Sequence, residues 1–262
     1  MARLHLYVDG SWLFKACAPD RALATRLEYP DRAFRLNFER LCSSLLRHAA
    51  TYDPACDSFG DRFLSTSIFA LPDDVDEWPA EREDVTAADI ENVRQSVAAR
   101  EAFVANALAA GFDPSAIYRP ALRGWMLQRL RERRFQEKQV DATVVALLVR
   151  SAITNAGDYH AILTGDSDIL PAIKVAYPQY SENVFVATTH PDQLRGEARQ
   201  TSFALADFDY RLRPFFLDEY AADIVDGQHV YQCAHCNKVF VRPAAIPVSA
   251  RPCCNPCHKQ RT

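Results

Sequence analysis

Apolar and polar positions along this 262-residue chain follow two periods, one close to two and one close to 3.6. Residues 4–8 (Leu-His-Leu-Tyr-Val) make a short apolar run closed by Asp9-Gly10, the pattern of a strand entering a tight turn, and a helix begins over residues 11–17. Phe38, Leu41, Cys42, Leu45 and Leu46 fall on one helical face, with Asn37 placed to cap it. A second strand is expected over residues 62–71, stopped by Pro72. Thr86 with Asp89 has the spacing of a capping box opening a helix to Leu108, and Gly111 suits its end.

Residues 117–125 read as a third strand or an irregular connection. The run Val144, Val145, Leu147, Leu148 and Val149 predicts a buried helix over residues 141–153. Residues 159–164 form an apolar strand that leads into Gly165-Asp166-Ser167-Asp168, and Ile169 and Ile173 open another helix. A further strand is expected at 183–188, a helix at 191–205, and then the aromatics Phe208, Tyr210, Phe215 and Phe216. Strands alternating with helices predict an α/β fold with a central, mainly parallel sheet covered on both faces. The expected organisation is an α/β domain over residues 1–217, a linker at 218–227 and a cysteine-rich module at 228–262.

A parallel sheet gathers the carboxyl ends of its strands on one edge, where ligands bind. Asp9 ends the first strand and Asp166 a later one; Asp168 follows two residues on, and Asp141 opens a helix. Four acids from three distant segments can thus meet. Like charges at close range oppose one another's ionisation, and a divalent cation relieves that cost. Mg²⁺ and Mn²⁺ favour carboxylate and water oxygens, which suits hydrolysis of a phosphodiester. Taken singly, an Asp after a strand is an ordinary turn former or helix cap.

Composition sharpens this picture only locally. The formal charge of −4 excludes a general basic footprint for nucleic acid. A basic stretch does precede Asp141: Arg129, Arg131, Arg133, Arg134 and Lys138 offer a phosphate track, with Trp125 and Phe135 as stacking surfaces. Its alternative is a solvated helix face paired with Glu132 and Glu137. Ser11 and Ser167 are candidates to hydrogen-bond substrate or to cap turns. The acid-rich residues 73–91 read as a solvated face. With no export signal and no long apolar run, the expectation is a cytoplasmic protein outside the membrane.

Five of the eight cysteines lie between Cys233 and Cys257. The pairs Cys233/Cys236 and Cys254/Cys257 carry the spacing of a four-thiolate Zn²⁺ site, which would be structural. Cys253 is a neighbouring thiol able to replace Cys254, and His235 and His258 are further substitutes. So short a module cannot build a core of its own, so metal would supply folding energy. The module resembles a zinc ribbon, and its basic tail (Arg242, Arg251, Lys259, Arg261) suits contact with nucleic acid or a protein partner.

Tyr7-Val8-Asp9-Gly10-Ser11, Lys138-Gln139-Val140-Asp141 and Leu163-Thr164-Gly165-Asp166-Ser167-Asp168 together resemble the motifs of the NYN family of PIN-like nucleases, including its LabA-like branch. The likeness spans residues 3–210. It departs at Trp12, where the family commonly has Asn, and at Gln139, where Gly is frequent. The resemblance implies a three-layer PIN-like fold and metal-dependent ribonuclease chemistry. Asp9, Asp141 and Asp166 would be the core carboxylates for Mg²⁺ or Mn²⁺, with Asp168 assisting, and single-stranded or structured RNA the partner. The alternatives are a catalytically inactive RNA-binding or protein-adaptor module and a DNA-directed nuclease, since metal-assisted hydrolysis needs no 2′-hydroxyl.

Overall fold

A computed structural model describes residues 2–19, 21–26, 34–131, 139–177, 183–190, 212, 214–227, 229–236, 239–242 and 244–260. The first half of the chain forms β1 (Arg3–Asp9), α1 (Gly10–Ala16), α2 (Ala22–Arg26), α3 (Phe38–Ala50), β2 (Ser58–Ser67), α4 (Trp78–Glu81), α5 (Ala87–Ala109), β3 (Ile117–Tyr118) and α6 (Gly124–Arg131). It continues through α7 (Gln139–Thr154), β4 (Tyr159–Leu163), α8 (Leu170–Ala176), β5 (Val184–Thr188), β6 (Phe215–Phe216), α9 (Ala221–Ile224), β7 (His229–Gln232), β8 (Val239–Arg242) and α10 (Asn255–Lys259). The helix expected at 191–205 and the residues Arg133, Arg134, Phe135 and Lys138 lie outside the described residues.

The α/β expectation holds. Six strands form one sheet in the order β3-β2-β1-β4-β5-β6, and every pairing in it is parallel. The direction of winding reverses between β1 and β4, which creates a crevice beyond their carboxyl ends. Both central strands are almost entirely buried, as a sheet covered on two faces demands.

Each face has its own core. Leu4, Leu6 and Val8 of β1 point one way and pack with Leu64, Leu163, Ala187 and residues of α3. Tyr7 points the other way, with Phe63, Ile162 and Val186, and meets Val144 and Leu148 of α7 and Ile173 of α8. This second cluster fixes α7 with its first turn, and therefore Asp141, at the carboxyl end of the sheet.

The local signals for caps are met: Asn37 accepts from the backbone N–H of Arg40, and the Thr86/Asp89 capping box is formed on both sides. Gly111 takes φ +84, the left-handed conformation that ends α5. Several boundaries differ. β2 starts at Ser58 because a bulge opposite Leu4–Leu6 lets the Phe-Gly-Asp segment keep pairing with β1. β3 is only two residues long, and Trp125 belongs to a helix. α7 is amphipathic rather than buried all round, with Ile153 78% exposed. Within the acidic stretch, Trp78 is buried in a small cluster with Val75, Val85, Ile90, Leu122 and Leu127, so only part of that stretch is a solvated face.

The segment expected as a linker is packed. Ala221, Ile224 and Val225 join the main core, and the carbonyl of Ile224 accepts from the backbone N–H of Asn37. Beyond it, β7 and β8 pair antiparallel and bring Phe240 against Cys233 and Cys254. No helix among the described residues is long and apolar enough to cross a membrane.

Candidate functional site

β1 ends in Asp9 because the chain must turn there, and Gly10 permits it. A Cβ on Gly10 would meet Leu64, the carbonyl of Ser65 and Thr66, each at 3.0 Å. Asp9 then caps α1, its Oδ1 accepting from the backbone N–H of Trp12 at 2.9 Å. Its Oδ2 accepts from the hydroxyl of Thr164 at 3.4 Å, and that hydroxyl accepts from the N–H of Asp166 at 3.1 Å. Thr164 is thus the link that ties the β1 acid to the β4 acid.

Asp9 is buried, and burial is the main reason that its carboxyl is pushed up to about 6. The Trp12 N–H opposes that shift, the Asp141 carboxylate adds to it, and the Lys15 ammonium and the Thr164 bond lower it. The effect of Asp141 places the α7 acid within electrostatic reach of Asp9. Asp141 itself is exposed in the first turn of α7. Asp166 is half-buried and spends one oxygen on the N–H of Asp168, at 2.9 Å, opening a short 3-10 turn. Asp168 and Ser167 are exposed. The structure therefore groups Asp9, Asp141 and Asp166 at one edge. It does not bring the four carboxylates together as tightly as the thiols described below.

Small hydroxyls line the same edge. Ser65 is the register partner of Asp9, and Thr188 occupies the equivalent row on β5, opposite Phe216. Among the described residues, the buried Ser65 and Thr188 hydroxyls have no hydrogen-bond partner, which marks this edge as one suited to water or a ligand. Ser11 is buried and its hydroxyl lies 3.4 Å from that of Thr66, so it faces β2.

Of the basic stretch, Arg129 and Arg131 are among the described residues. Arg131 turns to α5, 3.5 Å from Asp89, and donates to the carbonyl of Asp84. Arg129 lies over the half-exposed ring of Trp125, 5.1 Å from its centre. Neither makes a continuous track with Asp141 in the described residues.

A pair that the linear pattern did not reveal stands beyond β5. His190 Nδ1 lies 3.0 Å from Asp218 Oδ2, its backbone N–H donates to Asp218 Oδ1 at 2.9 Å, and its ring stacks on Phe216. Asp218 is buried while His190 is half-exposed, so a carboxylate orients an accessible imidazole. Nothing in their separation along the chain, 28 residues, signals this contact.

The second centre is unambiguous in geometry. The sulfurs of Cys233, Cys236, Cys254 and Cys257 all lie within 4.8 Å of one another. Sulfurs bound tetrahedrally to zinc at about 2.3 Å would sit about 3.8 Å apart, so this set fits such an ion. Backbone N–H groups of Cys254 and His235, each 3.5 Å from the Cys233 sulfur, help bring that thiol down to about 5 and so favour the thiolate. Cys254 is the buried member of its adjacent pair and belongs to the set; Cys253 does not.

No family model, no curated protein and no solved structure matches this chain. The assignment of its sites rests on its own residues.

Two outcomes follow. One tightly held zinc per chain is expected by elemental analysis, retained in Cys253→Ser and lost in Cys254→Ser; equal loss in both would contradict the assigned set. In chelator-treated protein, Asp9 binds a proton more tightly folded than unfolded, so its contribution to stability falls as pH rises from about 4 to about 6. Asp9→Asn keeps the cap on Trp12 and removes that loss. Relative to the parent chain, its stability by urea unfolding should therefore rise across pH 4–6 by up to roughly 3 kcal/mol and then level. A pH-independent difference would show that Asp9 does not titrate there.

Proposed function

We propose that this chain is a metal-dependent nuclease of the PIN-like type, acting on RNA. The observation that carries the reading is a buried carboxylate at the topological switch point, Asp9, hydrogen-bonded to Thr164 and facing a second acid from a distant helix. Burial and Asp141 both oppose ionisation of Asp9, and the Trp12 cap, Lys15 and Thr164 offset that cost only in part, so the carboxylate form is held against the fold's own stability. The arrangement favours a cation instead. Asp9, Asp141 and Asp166 are hard oxygen donors suited to Mg²⁺ or Mn²⁺. Such ions keep several waters and bind through one or two carboxylates, so three carboxylates in mutual contact are not required.

A bound Mg²⁺ or Mn²⁺ would supply Lewis-acid stabilisation of the charge that develops on the phosphodiester oxygens. The chain's own residues do the rest. Thr164 holds the Asp9 and Asp166 segments in register, the α7 packing through Val144 and Leu148 sets Asp141, and the unpartnered Ser65 and Thr188 hydroxyls offer polar contacts beside the reacting centre. Asp168 is exposed and would assist by holding a second ion or a bound water. The four-cysteine module would hold Zn²⁺ structurally, because four thiolates leave no open position. Its basic residues would contact the strand or a protein partner.

A nucleic-acid-binding module without catalysis is the second reading. It is favoured by the looser grouping of the carboxylates.

With Mn²⁺, cleavage of single-stranded RNA is expected, abolished by chelator and lowered by about a hundredfold or more in Asp9→Asn and Asp166→Asn, as loss of a charge-stabilising group predicts. Asp168→Asn should lose less. RNA binding with no cleavage in any divalent ion would support the second reading, and cleavage of DNA alone would shift the substrate.

A further inference from the structure

A cavity of about 390 Å³ opens between α1, the end of β2, α5 and α6. Its walls are of two kinds. Phe69, Val93, Val97, Leu127 and Leu130 make an apolar surface. Lys15, Arg100, Asn92 and Ser96 bring cationic and hydrogen-bonding groups to the same space, and the Asp89 carboxylate on the same wall is already engaged, accepting from the Thr86 hydroxyl at 2.7 Å and lying 3.5 Å from Arg131. The helix period explains the second set: Asn92, Ser96 and Arg100 recur at intervals of four along one stripe of α5.

The polar groups differ in how far they are already engaged. Arg100 donates to the carbonyl of Ser67 at 3.2 Å and lies over Phe14, and Arg131 is turned to Asp89. Lys15 is exposed and forms no hydrogen bond or ion pair with any described residue, and neither do the side chains of Asn92 and Ser96. Lys15 is also close enough to Asp9 to favour its ionised form. One ammonium therefore stands between the cavity and the carboxylate edge.

We infer that this cavity takes one nucleotide, its base against Phe69, Val97 and Leu127 and its phosphate at Lys15. The volume falls at the small end of the range of about 300–1,000 Å³ typical of small-molecule sites. An inorganic anion would leave the apolar wall unused. A purely apolar ligand would desolvate Asn92 and Ser96 without replacing their hydrogen bonds. A base offers a flat apolar face and a hydrogen-bonding rim, and Asn92 can both donate and accept. The nucleotide would come as a free nucleoside monophosphate or as one unit of a strand whose neighbouring phosphate lies at Asp9. The second source rests on the nuclease reading and would make the cavity the place where that enzyme selects a base beside the scissile bond.

The test is equilibrium binding to the whole chain with zinc retained and no Mg²⁺ or Mn²⁺ added, so that no cleavage is needed for a signal. The probes are adenosine and uridine 5′-monophosphate, a labelled pentanucleotide RNA and inorganic phosphate. Two exposed positions are changed: Lys15→Ala removes the charge, and Ser96→Trp fills the cavity mouth, with thermal midpoints confirming the fold. Binding of a mononucleotide or of the pentanucleotide, weakened about tenfold or more in both variants, is the expected result, since a hydrogen bond to a charged group is worth about that much. Binding of the pentanucleotide alone would assign the cavity to a strand unit, and binding of the monophosphates as well would assign it to nucleotides generally. Affinity unchanged in both variants, phosphate binding as tightly as the nucleotides, or no binding by any probe would overturn the assignment. Failure of RNA cleavage with Mn²⁺ alongside intact, variant-sensitive binding would instead overturn the nuclease reading and leave the cavity assignment standing.

Discussion

Removing the Asp9 carboxylate from water is the constraint on which the rest of this structure turns. A lone buried carboxylate is unfavourable, and here the nearby acid Asp141 makes it more so. What offsets the penalty is modest: one backbone N–H from Trp12, one hydroxyl from Thr164 and the Lys15 ammonium. The position follows from topology. β1 is central, its pairings with β2 and β4 run parallel, and the winding reverses beside it. The last residue of β1 must then project into the crevice, between the first turns of α1 and α7. A cation at that point would convert mutual repulsion into shared coordination, which is the physical basis of the metal site we propose.

The other end of β1 carries the opposite electrostatics. His5 and His160 are buried and stacked with ring centres 5.2 Å apart, and Asp158 accepts from His5 at 2.9 Å. Burial, with His5 beside it, pushes His160 down to about 4. A histidine kept neutral in the fold loses stability as pH falls from about 6.5 toward 4, because the unfolded chain takes the proton first. Asp9 loses stability in the reverse direction over nearly the same range. The two ends of one strand therefore contribute to the pH dependence of stability in opposite directions. The polar residues are thus segregated at the strand ends, and Leu6, Tyr7 and Val8 between them hold the two cores.

Much of this was legible in the linear pattern where a local rule decides the outcome. Asp9-Gly10, the Asn37 cap, the Thr86/Asp89 box, the β4 run and the two cysteine pairs each depend on residues a few positions apart, and each forms as expected. Features decided by distant contacts were not legible. The start of β2 depends on a bulge against β1, α4 on a pocket for Trp78, and the packing of α9 on the amino end of α3. The link through Thr164 depends on its hydroxyl reaching Asp9 on a different strand. His190 and Asp218 meet only because β5 and β6 are neighbours. The choice of Cys254 over Cys253 is likewise a matter of which sulfur the chain turns inward at the start of α10. The resemblance of the three acidic motifs to the NYN family supplies the order of the acids, and the chain's own geometry supplies the reason for their position.

The most direct test of the central claim is anomalous diffraction from crystals soaked in Mn²⁺. The account predicts a manganese peak at the carboxyl edge of β1 and β4, in contact with Asp9 or bridged to it by water, with Asp141 and Asp166 completing the donor set. Absence of manganese there, with the Asp9 carboxyl still bonded to Trp12 and Thr164, would contradict it.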